Sequence, residues 1–230
     1  MKISEMEVSL VDHMGSDLNV VNAARVSFAK QSDWEYEFDE LLGTLSDNPQ
    51  LSKGDTKLIN YLARHNHWTP FGHTSVSLRL KTPIFVARQF VKHQVGLVWN
   101  EVSRRYVDDE PEFWFPAEYR ARPDGSIKQG SGSPLNISGL NYDPHAQLAQ
   151  SLAMYMDMID YGMAPEQARM FLPLNTMTEW IWTGSLAAWS RVCKLRLDPH
   201  AQLEIQEPTR LIAALVEPLY PVSFKALMEN

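Results

Sequence analysis

The stretch HTSVSLRLK (residues 73–81) sets Val76, Leu78 and Leu80 on one side and Ser75, Ser77 and Arg79 on the other. Strict alternation over that length predicts a half-buried strand. Pro83 comes next, and its fixed φ suits a first helical turn that IFVARQFVKH (84–93) continues. Upstream, Met6, Val8 and Leu10 alternate within residues 5–12 and predict another strand. Asp17 then precedes LNVVNAARVSF (18–28) as the cap of a helix. Helices are predicted over 33–42 and 55–66, the second with Leu58, Ile59 and Leu62 on one face, and Pro70 breaks the region after it. The last third has helical patterning from Asp143-Pro144 to about Gly162 and from Pro165 to about Leu172. It continues from about Thr178 to Lys194 and again from Asp198-Pro199, with Pro208 expected to kink or restart the last helix. Strands first and helices later give an α+β class, a central sheet flanked by helices with a helical carboxy-terminal third.

A chain of 230 residues can bury ~70% of its unfolded surface without staples. Hydrophobic residues at 44% and charged residues at 21% exclude wholesale disorder. The single cysteine, Cys193, excludes a disulfide framework and a Cys-rich zinc site, and suits a reducing compartment. MKISEMEVSLVDHMG at the start lacks the pattern of a signal peptide, and no run approaches ~18 apolar residues. A cytoplasmic protein with no membrane partner is expected. The net charge of −7 argues against coating nucleic acid, while leaving room for a small anionic ligand. Residues 107–142 are rich in Pro, Gly, Ser and charge. With Phe113, Trp114, Phe115 and Tyr119 they suggest a loop excursion from a single 1–230 domain rather than a linker. QGSGS (129–133) in it offers backbone N–H groups to an anion, so the segment either orders over a ligand or is a static excursion. DPHAQL occurs at 143–148 and 198–203, but the flanks differ and no repeat is assigned.

Four constellations carry chemistry. HNHWTPFGH holds His65, His67 and His73, but two-residue spacing at a helix end and no adjoining acid fit a metal poorly. RQFVKHQVGLVWNEVSRRY (88–106) pairs Arg88 with Lys92 and Gln89 with His93 on helix faces. Asn100, Glu101, Ser103, Arg104 and Arg105 then interrupt an apolar run, as a solvated turn or as an anion site. In PEQARMFLPLNTMTEW (165–180), Arg169 either pairs with Glu166 or meets a ligand. In RVCKLRLDPHAQLEIQE (191–207), Arg191, Lys194 and Arg196 precede a helix start at Asp198 with His200 in its first turn, a setting that favours anions. Cys193 among these cations has two readings, an activated thiol or a core residue beside Trp189 and Val192; the helical position favours the core. Trp180, Trp182 and Trp189 are expected as a helical aromatic core patch.

NEVSRRY (100–106) matches the second half of RHRxxSxNExSxRY, the signature of the flavin-dependent thymidylate synthases. KHQVGLVW (92–99) stands for the first half with substitutions. The chain also resembles that family in HWTPFGH (67–73), PIFVARQ (83–89), ARMFLPLN (168–175) and LRLDPHAQLEIQ (195–206), and more weakly in AARVS (23–27). The resemblance implies the family's fold and a homotetramer with active sites shared between subunits. It implies methylation of dUMP to dTMP, with the carbon from 5,10-methylenetetrahydrofolate and the hydride from FAD reduced by NADPH. For dUMP it implies Gln89, Lys92, Glu101, Ser103, Arg104, Arg105, Arg169 and Arg196, with Arg196 and Ser103 catalytic. For FAD it implies His67, Thr69, Lys92, His93, Gln94, Asn100 and Glu101, and further on Ser185, Arg191, Leu195 and His200. It implies no metal and no cysteine nucleophile. Gly72 stands where the family often has Glu, and Ser185-Leu186-Ala187 where it has NxR. Arg191 replaces a common neutral amide, and Lys92 keeps charge without the fork. The competing functions are a metal-dependent nucleotide hydrolase built on the histidines and a catalytically dead nucleotide binder.

Overall fold

A computed structural model describes residues 1–39, 44–46, 48–123, 125 and 130–230. Its elements are β1 (Lys2–Ile3), β2 (Glu7–Met14), α1 (Asp17–Arg25), β3 (Phe38–Asp39), β4 (Thr44–Leu45) and α2 (Lys53–Arg64). Then come β5 (Ser75–Pro83), α3 (Ile84–Phe90), β6 (Leu97–Glu101), β7 (Glu112–Phe113), α4 (Pro144–Asp160) and α5 (Pro165–Ala168). The chain finishes with β8 (Met177–Gly184), α6 (Leu186–Arg196), α7 (Leu203–Val216) and α8 (Pro221–Glu229). The strand predicted from alternation is β5, and it is an inner strand of a four-stranded antiparallel sheet ordered β2-β5-β8-β6.

Register explains the layering. Leu78 lies between Leu10 and Trp182, and Leu80 between Val8 and Trp180. Val76, Leu78, Leu80, Trp180 and Trp182 are therefore buried on one face against Trp189, Val192, Ile205, Ile212 and Val216 of α6 and α7. Trp189 Nε1 donates to the Val76 carbonyl at 3.1 Å, which satisfies its polar atom in the core. The other face carries an Arg79–Glu179 ion pair at 3.0 Å and a Ser77–Thr183 hydroxyl contact at 2.8 Å. The fold is α+β. Among the described residues no helix is long and apolar enough to cross a membrane.

Several local expectations are corrected. Residues 178–184 belong to the strand β8, not to a helix running to Lys194. The buried Trp180 and Trp182 alternate with exposed Ile181, and aromatic and β-branched residues suit a pleated surface. Ser185 is the true helix start, its Oγ accepting the Ala188 N–H at 3.3 Å. The tryptophans do cluster, but between sheet and helix: Trp182 and Trp189 ring centroids are 4.9 Å apart. The helix expected over 33–42 is absent from its described part, where Phe38 pairs with Leu45 and Glu35 with Gln50; residues 40–42 lie outside the described residues. Backbone groups there are spent on cross-strand bonds, Glu35 N to Gln50 O at 2.9 Å and Gln50 N to Glu35 O at 2.8 Å.

Asp17 is not the cap of α1; Ser16 is. The buried Asp17 carboxylate instead accepts the N–H groups of Val222 at 2.9 Å and Ser223 at 2.8 Å. It thereby satisfies the open start of α8 and ties the first helix to the last. α3 ends at Phe90, so Lys92 and His93 lie beyond it in a turn. The two DPHAQL copies differ. At 143–148 Asp143 caps α4 through the His145 N–H at 2.9 Å. At 198–203 Asp198 accepts the His200 N–H at 2.8 Å in a turn, and α7 starts only at Leu203. The anion-favouring helix start expected beside Arg196 is thus absent. Pro208 sits inside α7 without ending or restarting it.

Within 107–142, β7 pairs in parallel with β1, and Phe113 and Trp114 are buried. Trp114 N donates to Asn175 O at 2.9 Å, and Asn175 Nδ2 returns a bond to Trp114 O at 2.9 Å. Arg120 pairs with Glu204 of α7. Gln129 of the QGSGS stretch lies outside the described residues.

Candidate functional site

Three groups of predicted residues come together separately. The first surrounds Arg196 at the end of α6. Its Nε donates to His93 Nε2 at 2.8 Å, and its Nη2 to the Gln89 carbonyl at 3.1 Å. The Gln89 side chain bonds Gln202, a residue not predicted from sequence although it lies within the LRLDPHAQLEIQ block. His93 lies 6.5 Å from the Trp182 ring, between centroids. Burial and the positive charges of Arg196 and Arg191 pull its pKa down from 6.5 to about 4. Burial also lowers that of Arg196.

This shift gives a stability prediction. The folded His93 stays neutral where an unfolded histidine binds a proton, so its contribution is present above pH 6.5 and is lost as pH falls toward about 4. The thermal midpoint of the wild-type chain should therefore drop across that window more than that of His93→Gln. Parallel curves from calorimetry for the two proteins would remove His93 as the cause.

The second group lines a cavity of about 110 Å³ beneath the end of β6, where Glu101, Arg104 and Arg169 meet Thr176 and Thr178. Glu101 is held by Thr178 Oγ1 at 2.6 Å and Trp99 Nε1 at 3.1 Å, the Trp99 ring being stacked 4.1 Å from Trp180. Arg169 Nε donates to the Glu166 carbonyl at 3.3 Å, so its local partner is backbone and not the carboxylate. Arg104 donates to the Asp109 carbonyl at 2.8 Å. Thr178 carries no signal on its own, because the pattern around it reads as a helix.

The third group opens on a cavity of about 640 Å³ lined by His67, Thr69, Tyr61 and Phe28, with Arg25 and Lys30. Arg25 Nε also donates to buried Asp55 at 2.9 Å. Arg25, Ser27 and Lys30 are not predicted from sequence; the AARVS block is the available signal. Among the described residues no three His, Cys, Asp or Glu side chains gather so as to hold a metal ion.

Other predicted residues stand apart. Ser103 and Arg105 bond each other, Nε to Oγ at 3.2 Å, with Arg105 over the Tyr106 ring and outside the Glu101 cavity. Arg191 Nη2 donates to the Val95 carbonyl at 2.7 Å beside Gly96, whose φ of 76° admits few other residues. A Cβ on Gly96 would lie 3.3 Å from Ala188 Cβ, so the glycine lets this turn pack closely against α6. Asn100, Gln94, Lys92 and Leu195 lie toward solvent, and exposed His200 contacts Asp198 at 2.9 Å.

Cys193 is fully buried, and burial pushes its thiol pKa up to about 12. The cations on its helix do not reach it. Cys193→Ala should retain most activity at a stability cost of roughly 1 kcal/mol. Loss of turnover in folded Cys193→Ala protein would reverse that assignment.

A family model described as thymidylate synthase complementing protein matches residues 9–222. A flavin-dependent thymidylate synthase of Thermus thermophilus is 35% identical over 223 residues, covering 97% of this chain and 76% of the relative. Another, of Anaplasma marginale, is 36% identical over 96% of this chain and 72% of the relative. Among solved structures, the UMP/dUMP methylase PolB of Streptomyces cacaoi bound with 5-Br dUMP matches at a TM-score of 0.81 and 27% identity. That match covers 100% of this chain and 97% of the other. PolB bound with 5-Br UMP matches at a TM-score of 0.75, with 27% identity over 98% of this chain and 95% of that one.

Proposed function

The chain belongs to the thymidylate synthase complementing protein family, and we propose that it methylates dUMP to dTMP as a flavin-dependent thymidylate synthase. One observation carries the reading. Glu101 and Arg104 of one motif meet Arg169 of a distant segment in one cavity, and each of the three is expected on dUMP. Two guanidinium groups there suit a phosphate, since each presents a rigid fork of donors. Glu101, fixed by Thr178 and Trp99, suits the polar edge of a sugar or base. On this reading Arg196 stabilises negative charge as it develops on the pyrimidine. Ser103 supplies a donor nearby in sequence.

FAD, NADPH and 5,10-methylenetetrahydrofolate complete the proposed reaction. The residues fit a flavin nucleotide: the 640 Å³ cavity carries Lys30 for a phosphate beside the Asp55-paired Arg25, and His67 and Thr69 for polar ring or ribose atoms. Ser185 and Arg191 add further polar groups beside Gly96, with Arg191 supplying the charge that Ser185-Leu186-Ala187 lacks. When bound, the flavin supplies the hydride and the chain supplies position and electrostatics. Cys193 takes no part. The proposed catalytic unit is the whole of 1–230 as one domain, acting in the cytoplasm.

We further propose a homotetramer with shared sites. Arg105 and the His67 cavity serve one ligand set only if different chains meet. Mixing inactive Arg105→Ala and His67→Ala proteins after mild dissociation should restore some activity. Absence of complementation, with subunit exchange demonstrated, would contradict shared sites.

UMP is the second candidate substrate, favoured by the PolB match bound with 5-Br UMP. The test is spectroscopic. The purified protein should be yellow, and its reduced flavin should oxidise when dUMP and the folate are added. Faster oxidation with UMP would transfer the assignment to the ribonucleotide. A colourless protein with chelator-sensitive nucleotide hydrolysis would replace it with the metal-dependent reading.

A further inference from the structure

Arg196 is gripped along one edge. Its Nε–H donates to His93 Nε2 at 2.8 Å and an Nη2 hydrogen donates to the Gln89 carbonyl at 3.1 Å. Nε and Nη2 share the side edge of a guanidinium, so both protein bonds fall on that edge. A guanidinium has five N–H donors in a fixed plane. Among the described residues the end edge, Nη1 with the remaining Nη2 hydrogen, has no protein partner and keeps its two parallel donors. That geometry matches a planar acceptor such as a carbonyl edge of a pyrimidine.

His93 reaches this position because α3 stops at Phe90. Its own N–H donates to the Phe90 carbonyl at 2.9 Å, in a turn that brings the ring between Trp182 and α6. An imidazole nitrogen accepts a hydrogen bond only when it carries no proton, so the bond requires a neutral ring with its proton on Nδ1. The charged groups facing the ring are Arg196 and Arg191, both of α6, and both disfavour protonation. Among the described residues no carboxylate forms an ion pair with it to favour the charged form.

We propose that His93 is a positioning residue for Arg196: its unprotonated Nε2 fixes the side edge of the guanidinium so that the end fork faces the pyrimidine. The identity of the pyrimidine rests on the function proposed above; the His93–Arg196 bond does not.

The experiment has two arms. In the first, histidine ring nitrogens are isotope-labelled in the full chain without ligands and read by NMR near neutral pH. His93 should be neutral with the proton on Nδ1, and should lose that preference in Arg196→Leu. A proton on Nε2 in the wild-type chain overturns the proposal. In the second arm, His93→Phe keeps a planar ring and removes the acceptor. Its saturated single-turnover rate should fall ~10²-fold, as expected of a misplaced catalytic group. Measured on protein reconstituted to full flavin occupancy, its dUMP affinity should stay within about twofold. His93→Gln, which restores an acceptor, should recover part of the rate. An undiminished saturated rate in folded His93→Phe overturns the proposal. If wild-type protein shows the Nδ1 proton but is inert toward dUMP, the His93–Arg196 bond stands and the assigned reaction falls.

Discussion

Arg196→Lys should cut the saturated rate of flavin oxidation by on the order of 10²- to 10³-fold, the cost of removing one preorganised donor set at developing charge. Lysine keeps the positive charge but cannot reproduce the geometry. Arg196 uses one edge for His93 and Gln89, and among the described residues its second edge has no partner. An ammonium has no second planar edge, so it holds either the protein or the substrate well. The effect belongs on the chemical step, because charge on the pyrimidine is greatest in the transition state. Arg169→Lys, at a cavity assigned to the phosphate, should appear mainly in the dUMP dissociation constant. Single-turnover kinetics at saturating dUMP, beside a direct binding measurement, separate the two. A weakened affinity with an intact saturated rate in Arg196→Lys would make that residue only an anchor.

Trp182→Ala should destabilise the fold by about 3–5 kcal/mol, the range for deleting a large buried aromatic. Trp182 is 1% exposed on the inner strand β8. Its ring packs at 4.9 Å from Trp189, 5.4 Å from Phe90 and 5.4 Å from Trp99, between centroids. These neighbours come from α6, α3 and β6, so no single element can move to fill the hole. Trp182→Phe should cost distinctly less. Chemical denaturation of the three proteins measures both losses; a cost in Trp182→Ala below about 1 kcal/mol would mean that the site collapses freely.

The same tryptophan shows what can be learned from sequence and what cannot. β5 is legible because its alternation is clean and both ends are marked. β8 is not, because its apolar run is only Trp180, Ile181 and Trp182, too short for its period to tell strand from helix. The Gly184-Ser185 boundary is the usable signal: a Cβ on Gly184 would lie 2.3 Å from Leu97 Cδ2, and Ser185 caps the helix. β6 goes unrecognised because its five residues end in the polar pair that signals the site. Asp17 and the second Asp-Pro fail as start signals for a shared reason. Both carboxylates do accept backbone N–H groups, but of α8 in one case and of a turn in the other.

At the site, the residue types are legible from motifs, whereas their partners are not. Nothing local in the sequence brings Arg196 to His93, since 103 positions separate them. Gln202 gives no independent sign because its partner, Gln89, is 113 positions away. Arg105 and His67 are the opposite case, predicted from blocks and unassembled within one chain.

We propose methyl transfer to dUMP with Arg196 against the pyrimidine. The direct measurement is a single turnover of flavin-reduced protein with dUMP and 5,10-methylenetetrahydrofolate, with the nucleotide product identified by mass. The expected product is dTMP, formed together with flavin oxidation and abolished when either substrate is omitted. Unchanged dUMP, recovered from protein shown to bind both flavin and dUMP, would contradict it.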